Sequence, residues 1–190
     1  MGTTEPIRDK QDVQRLIEYY LDKGELRNYV LVTMGVYTAL RISDLLNLKW
    51  EDVYDFEKKQ TYKNIYLIEK KTNKPKIVAL NKAVRSALNR CAKVCAARGS
   101  AIISNPQTGK AIRREHAYRI IRTAAESIGL GCRVSCHSLR KTFGYHAWKN
   151  RVSPTVIMDI YNHNSLGITR RYLGVTQDDK NAVYTALSFL

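Results

Sequence analysis

The strongly apolar stretch LRNYVLVTMGVYTAL, at residues 26–40, restricts the folds that are open to this chain. Drawn as a helix, it carries apolar side chains on almost every side, and such a helix must be surrounded by other parts of the protein. Segments with the helical spacing of apolar residues lie before and after it. The sequence therefore predicts a mainly α fold with a central helix.

Between the helical segments, one short region has the pattern of β-strands. Residues 61–69 alternate in part, residues 76–80 read KIVAL, and the turn-like TNKP separates them, so we predict a small antiparallel β-sheet with a basic tip. No repeat, low-complexity tract or linker interrupts the chain, and residues 1–190 are predicted to form one domain. The remaining helices are predicted at 10–22, 42–48, 82–99, 114–129, 138–150, 153–161 and 178–190.

The chain carries 32 Lys and Arg against 17 Asp and Glu, a formal charge of +15. An excess of this size attracts polyanions, and nucleic acid is favoured because binding releases the counterions of the phosphates. An acidic membrane surface is the alternative. No segment approaches the roughly 18 consecutive apolar residues of a membrane-spanning helix, and the opening residues MGTTEP do not begin a signal peptide. We therefore expect a cytoplasmic protein with no membrane partner.

The four cysteines form two pairs, Cys91 with Cys95 and Cys132 with Cys136. Structural zinc sites commonly use a C-x₂-C spacing, whereas both pairs here have the i, i+4 spacing of one helical turn. The pattern favours reduced, buried or half-buried thiols over a zinc site, with Cys91 and Cys95 one turn apart on a helix.

A set of basic and aromatic residues suits the cleavage of a phosphodiester. Each residue alone is ordinary, because surface arginines form salt bridges, histidines are often structural and tyrosines usually pack in a core. Together they offer two bidentate anion ligands, a strong proton donor, two imidazoles and a phenol. They contain no carboxylate pair for magnesium, so we predict chemistry without a metal or cofactor. The residues are Arg41, Lys71, His137, Arg140, His163 and Tyr172.

The segments ALRISDLLNLKWEDV, KKTNKPKIVAL, HSLRKTF and NHNSLGITRRY follow one another along the chain, and Tyr172 comes nine positions after His163. In order and spacing they resemble the motifs of the tyrosine recombinase, or phage integrase, family. The resemblance covers nearly the whole chain. It implies the catalytic-domain fold of that family and the site-specific recombination of double-stranded DNA.

The resemblance implies that part of the set binds the phosphate and releases the leaving group. Arg41 and Arg140 would bind the scissile phosphate, and Lys71, in the hairpin turn, would protonate the departing sugar oxygen. Asp44 stands where the family often has an acidic residue that braces the site. Judged from the sequence alone, Asp44 is also the simplest ion-pair partner for Arg41.

The remaining residues would carry out the attack. Tyr172 would attack phosphorus and form a 3′-phosphotyrosyl link, leaving a free 5′-hydroxyl. His137 would assist proton transfer at the tyrosine, and His163 would hydrogen-bond a non-bridging oxygen. Because the phosphotyrosine ester keeps the bond energy, another DNA hydroxyl can attack it and exchange strands without ATP.

The sequence departs from the family pattern in places. Lys141 replaces the second histidine that often follows the HxxR motif, and YNH replaces Leu-Gly-His, so Asn162 must make that turn without glycine. Lys70 and Lys74 are neighbours that compete for the role of Lys71. Most family members also carry an N-terminal core-binding domain, which we expect to be absent from this chain.

The run KAIRREHAYRIIR, at residues 110–122, places five basic residues against one glutamate. At helical spacing it predicts a basic face along a DNA groove, and a solvated helix face is the alternative. The arginines assigned to DNA binding are Arg113, Arg114, Arg119 and Arg122.

The C-terminal segment 176–190 is predicted to form an amphipathic helix with an apolar stripe. The stripe packs either on the core of its own chain or, as the resemblance implies, on a neighbouring subunit, with Gly174 as the hinge. The second interpretation predicts a monomer in free solution that forms a tetramer on two DNA sites. The stripe consists of Val183, Tyr184, Ala186, Leu187 and Leu190.

Two other functions stay open for this sequence. An enzyme similar to a type IB topoisomerase would use the same residues to nick and close a single duplex. A non-catalytic basic DNA-binding protein would use none of them for chemistry. The favoured interpretation is a site-specific recombinase encoded by a bacterium, a phage or a mobile element.

Overall fold

A computed structural model describes residues 4–175 and 177–186. Helices dominate, and the strands form two small antiparallel sheets, so the predicted fold class is confirmed. The helices are α1 (Lys10–Asp22), α2 (Leu26–Tyr37), α3 (Ile42–Asn47), α4 (Trp50–Val53), α5 (Lys82–Cys95), α6 (Arg114–Ser127), α7 (Cys136–Lys149), α8 (Pro154–Tyr161), α9 (Leu166–Leu173) and α10 (Gln177–Ala186). The strands are β1 (Tyr54–Asp55), β2 (Gln60–Thr61), β3 (Asn64–Ile68) and β4 (Pro75–Ala79).

Several helices begin at a side chain that caps them. Asp9 accepts a hydrogen bond from the backbone N–H of Gln11 at the start of α1, and Ser135 accepts one at the start of α7. Ser153 caps α8, where Pro154 occupies the first turn. These caps satisfy backbone N–H groups that have no partner inside a helix. Because capping is local, most helix starts lie within two residues of the predicted ones.

The central helix is α2, as predicted. Residues 28–36 are all buried, and the helix packs against α1, α5 and α7. It ends at Tyr37, before the predicted residue 40, because Ala39 adopts a left-handed conformation with φ 54°. This break matters for the site, since it directs the carbonyl of Ala39 toward Arg140 of α7.

The predicted hairpin forms from β3 and β4. Ile65 pairs with Val78 on the buried face, and Tyr66 pairs with Ile77 on the exposed face. A second sheet, β1 with β2, was not predicted, because two residues per strand are too short to show alternation. The turn of the β3–β4 hairpin, residues 69–74, lies next to α3, where the backbone N–H of Lys70 donates to Asp44 over 3.0 Å.

A second apolar cluster forms where α8 and α9 pack with α7. Its largest member is Tyr161, which is fully buried at the end of α8. Gly144 of α7 makes room for it, because a Cβ at that position would overlap the Tyr161 hydroxyl. The cluster thereby fixes the end of α8 and the turn that follows.

The last helix, α10, is joined to α7 by an ion pair between Lys149 and Asp179, whose atoms lie 2.5 Å apart. Val183 is 61% exposed and Tyr184 77% exposed, and Ala186 is exposed as well. The described part of the predicted stripe therefore does not pack on the core of its own chain. Two further members, Leu187 and Leu190, lie outside the described residues.

Candidate active site

Arg140 lies on the buried side of α7, with 2% of its surface exposed. Its Nη1 donates to the carbonyl of Ala39 over 2.6 Å, and its Nη2 donates to that of Tyr161 over 2.8 Å. Burial, together with the charge of Arg41, lowers the pKa of Arg140 to about 10, so the group stays charged at neutral pH. Nε has no hydrogen-bond partner among the described residues. A buried guanidinium with an unpaired N–H is suited to bind an anion.

Arg41 approaches the same carbonyl from the start of α3. Its Nη2 donates to the carbonyl of Tyr161 over 3.3 Å, and its Nη1 lies 2.6 Å from Oε2 of Glu69. The two guanidinium groups, here called the arginine clamp, therefore meet at one backbone oxygen. The predicted ion pair of Arg41 with Asp44 is wrong, because that carboxylate faces the hairpin and accepts from the backbone of Lys70. Asp44 thus braces the hairpin turn instead of the arginine.

His163 follows a tight turn at the end of α8. Asn162 adopts φ 50° and ψ 43°, a left-handed conformation that asparagine tolerates better than most residues, so the turn forms without glycine as predicted. Nδ1 of His163 lies 3.1 Å from Oγ1 of Thr169, which orients the ring. Burial and the charges of Arg140 and Arg41 lower the pKa of His163 to about 4, so the imidazole is neutral at pH 7.

Tyr172, on α9, packs among aromatic rings. The centroid of its ring lies 4.8 Å from that of His137, 4.7 Å from that of His163 and 5.1 Å from that of Tyr161. Partial burial and the charge of Lys141 lower the pKa of His137 to about 4. A phenol in contact with a neutral imidazole has a proton acceptor at hand.

Lys71 lies on the exposed turn between β3 and β4. Thr72 anchors this turn, because its hydroxyl donates to Oε2 of Glu69 over 2.8 Å. The competing Lys70 is engaged elsewhere, since its ammonium donates to Asn47 over 2.9 Å. Lys71 makes no hydrogen bond or ion pair within the described part of the chain. The structure brings the other predicted residues together beside this turn: Arg41, His137, Arg140, His163 and Tyr172.

Buried residues next to the arginine clamp were missed by the sequence analysis. Glu69 has no exposed surface, and Nζ of Lys76 lies 3.4 Å from its Oε1. Tyr161 donates its hydroxyl to the carbonyl of Arg140 over 2.6 Å, and the guanidinium carbon of Arg140 lies 4.5 Å from its ring centroid. The one feature of the sequence that distinguishes Glu69 is that it is a single acidic residue directly before a run of lysines. The sequence does not show that this residue is buried.

The arginines assigned to DNA binding are exposed along and just before α6. Arg113 and Arg119 line a surface cleft of about 790 Å³ together with Lys110. Arg122 is paired within the helix, since its Nε lies 2.5 Å from Glu126. Arg114 is the first residue of α6 and is also exposed. A basic surface of this kind suits phosphates, and a solvated helix face is still the alternative.

Two of the cysteines lie on α5, and the other two lie just before α7 and at its first residue. Cys91 is buried and Cys95 exposed on α5 with their sulfurs 3.0 Å apart, whereas Cys132 and Cys136 are half-buried. The exposure of Cys95 differs from the prediction, because it is at the last turn of the helix. The described residues contain no cluster of His, Cys, Asp and Glu that could hold a metal ion. Within the same residues, no helix has both the length and the apolar character to cross a bilayer.

Comparison with known proteins identifies the family. The family model described as "Phage integrase family" matches residues 8–178. The chain belongs to the phage integrase family. The "Probable integrase/recombinase YoeC" of Bacillus subtilis (strain 168) is 34% identical to it over 184 residues, which are 97% of each chain. A tyrosine recombinase of Pseudothermotoga lettingae is 26% identical over 175 residues, which are 89% of this chain and 56% of that protein.

A solved structure of a recombinase has the same fold. The XerH site-specific recombinase, in its post-cleavage complex with a palindromic difH substrate, superimposes with a TM-score of 0.78 at 20% identity, over 98% of this chain and 54% of that chain. This integrase-family chain thus spans nearly all of the B. subtilis relative but about half the length of the others. Membership places the chain in a family of integrases and recombinases, and both the B. subtilis and the P. lettingae relatives carry such names.

Proposed function

We propose that this recombinase cleaves DNA by attack of Tyr172 on a phosphate bound by Arg41 and Arg140. The products are a 3′-phosphotyrosyl link and a free 5′-hydroxyl. One observation carries the proposal: both arginines donate to the carbonyl of Tyr161, whose ring lies 5.1 Å from that of Tyr172. Anion ligands and a candidate nucleophile are therefore adjacent.

The arginine clamp offsets the charge that develops on the non-bridging oxygens as phosphorus becomes pentacoordinate. Because buried partners already hold both guanidinium groups, little reorganisation is needed during the reaction, which is how preorganised donors lower a barrier. His163 adds a further donor. When the hydroxyl of Thr169 donates to Nδ1, the neutral ring carries its proton on Nε2 and donates it to a non-bridging oxygen.

Two proton transfers accompany the exchange of bonds. Tyr172 loses its proton to His137 as its oxygen bonds to phosphorus, and Lys71 protonates the 5′ oxygen as the P–O5′ bond breaks. In the reverse direction, a 5′-hydroxyl of a second strand attacks the phosphotyrosine and releases Tyr172. Tyr161 is unsuited to attack, because it is fully buried and its hydroxyl donates to the carbonyl of Arg140.

The exposed arginines in and before α6 form the proposed contact with double-stranded DNA. All four side chains are exposed, so they are accessible to DNA phosphates and would contribute affinity. We assign residues 1–190 to one catalytic domain that acts in the cytoplasm of a bacterial cell. The arginines are Arg113, Arg114, Arg119 and Arg122.

We further assign the segment 176–190 to contacts between subunits in a tetramer on two DNA sites. The exposure of Val183 and Tyr184 supports this assignment, because exposed apolar side chains that lie together on a helix favour burial against a partner. Truncation after Val175 is expected to preserve folding and single-site binding and to weaken synapsis. Normal recombination by the truncated protein, or its complete unfolding, contradicts the assignment.

A nicked suicide duplex tests the cleavage proposal, because loss of the short leaving strand traps any covalent intermediate. A denaturing gel should show a DNA–protein adduct that survives excess EDTA and disappears in Tyr172→Phe. Absence of an adduct favours a non-catalytic DNA-binding protein. Exchanged strands from two intact duplexes distinguish recombination from nicking and closing of one duplex.

A further inference from the structure

Glu69 is a fully buried carboxylate at the end of β3. Oε2 lies 2.6 Å from Nη1 of Arg41 and accepts the hydroxyl of Thr72 over 2.8 Å. Oε1 lies 3.4 Å from Nζ of Lys76. Glutamate is almost never buried this completely unless it is paired. The contacts show that Glu69 is paired on both oxygens.

The negative charge of Glu69 is surrounded by positively charged side chains. Burial alone would raise the pKa of its carboxyl, but the hydrogen bonds and the charge of Lys76 outweigh burial and lower the pKa to about 2. The group is therefore ionised at neutral pH. Arg41, Arg140 and Lys76 all lie close enough to interact with it and with one another. Without this carboxylate, the three cations would repel with no buried counter-charge.

Glu69 also joins three separate segments of the site. Arg41 belongs to the start of α3, Thr72 belongs to the hairpin turn, and Lys76 of β4 contacts the end of α8, which precedes His163. Lys76 extends the connection, because its ammonium donates to the carbonyl of Ile160 over 2.5 Å. Each segment carries, or adjoins, a residue assigned to cleavage.

From these contacts we propose that Glu69 is a positioning residue for DNA cleavage, which holds the guanidinium of Arg41 in the orientation that meets the scissile phosphate. The proposal rests on the proposed function of Arg41 and Tyr172. Glu69 has no exposed surface and so does not contact DNA itself. Loss of its carboxylate should slow the chemical step, since a donor that must be ordered during reaction contributes less than a preorganised one. DNA affinity, which depends on exposed groups, should not fall.

The test is single-turnover cleavage of the suicide duplex at saturating protein, with the dissociation constant measured separately. Glu69→Gln keeps the shape of the side chain but removes its charge and one acceptor. We expect its cleavage rate to fall about 10-fold or more with little change in affinity, because misorientation of a catalytic group costs this much or more. Glu57→Gln is the matched control, since it removes the same charge from an exposed position and should cleave like the wild type.

A double-mutant cycle shows whether the effect passes through Arg41. In an Arg41→Ala background, Glu69→Gln should change the rate by less than about threefold, because the group that it orients is gone. A wild-type rate for Glu69→Gln, a loss of affinity in proportion to the rate, or an undiminished effect in the Arg41→Ala background overturns the proposal.

If Glu69→Gln fails to fold, Thr72→Val decides the matter, since it removes one hydrogen bond to Glu69 and leaves every charge in place. Slower cleavage at unchanged affinity supports the proposal, and wild-type cleavage by this variant overturns it. Failure of the proposed function has a different signature, because the wild-type protein itself would then form no adduct that depends on Tyr172.

Discussion

The arginine clamp and the helix that bears Tyr172 are held in different ways. Arg140 is 2% exposed and donates to two backbone carbonyls, and Arg41 is paired with a fully buried carboxylate. Tyr172 is half-buried and packs against rings, and its helix ends one residue later at Leu173, followed by Gly174 with φ 62°. Directional polar contacts fix the clamp, whereas non-directional ring packing holds the phenol.

This difference suits a strand-exchange reaction. The groups that stabilise charge work best when they need no reorganisation, and hydrogen bonds to backbone carbonyls provide that rigidity. The nucleophile must attack one phosphate, remain bonded to it and later leave. Ring contacts can be exchanged without leaving a buried polar group unpaired, so they suit a residue that changes partners. The comparison predicts that changes in the clamp affect both chemistry and folding.

The largest effect is expected from loss of a clamp arginine. Arg140→Ala and Arg41→Ala should each slow cleavage about 100-fold or more, which is the scale of losing one preorganised transition-state donor. Arg140→Ala should also lower the free energy of unfolding by about 1–3 kcal/mol, because the buried carbonyl of Ala39 loses its donor and that of Tyr161 loses the shorter of its two hydrogen bonds. Single-turnover kinetics and urea unfolding measure these effects, with the exposed Arg90→Ala as control. Full activity with lysine at both clamp positions contradicts the bidentate role.

Lys71 differs from the clamp arginines because it lies on an exposed turn, so its loss should affect the chemistry but not the stability. Lys71→Ala should slow cleavage about 100-fold, within the range for loss of a general acid, and should leave stability unchanged. A 5′-bridging sulfur in the scissile linkage should restore the rate, because a thiolate leaves without protonation. Lys74→Ala is the matched control from the same turn and should cleave normally. If the sulfur substrate rescues Lys74→Ala instead, the assignment moves to that lysine.

Salt dependence separates binding from chemistry. If about five phosphates are contacted, the plot of log affinity against log salt should have a slope near −4 to −5. Arg113→Ala should reduce this slope by about one and leave the cleavage rate at saturation unchanged. Arg122→Ala should change it less, because Glu126 already neutralises that side chain. A flat salt response shows that the basic face of α6 does not bind phosphates.

The smallest expected effect is a pH dependence of stability that comes from His137 and His163, which lie between the arginine clamp and the helix that bears Tyr172. The pKa of His137 and that of His163 are lowered to about 4, below the ordinary 6.5. Between these values the unfolded chain binds more protons than the folded one, so stability rises as pH increases through this window and is complete above it. The melting temperature should therefore fall from about pH 7 to about pH 5, and it should fall less in His163→Gln. A melting temperature with the opposite pH dependence contradicts the lowered pKa of these histidines.

Features that depend on local pattern could be predicted from the sequence, and features that depend on distant packing could not. Asp9 marks a helix start in the sequence because a cap acts within three residues. The burial of Glu69 could not be predicted, because this residue directly precedes a run of lysines that is typical of a solvated turn. Its burial depends on how the hairpin packs against α3, and no local pattern reports that contact. The same is true of Tyr161, whose position depends on the space left by Gly144 in another helix.

The most direct test of the account is to identify the residue that carries the DNA phosphate. The adduct from the suicide duplex would be digested with nuclease and protease, and the modified peptide sequenced by mass spectrometry. The account predicts one phosphotyrosine, at Tyr172, together with a 5′-hydroxyl on the released strand, and no adduct from Tyr172→Phe although that variant still binds DNA. A phosphate on Tyr161, on Tyr184 or on a serine, or an attachment through the 5′ end of the strand, would contradict it.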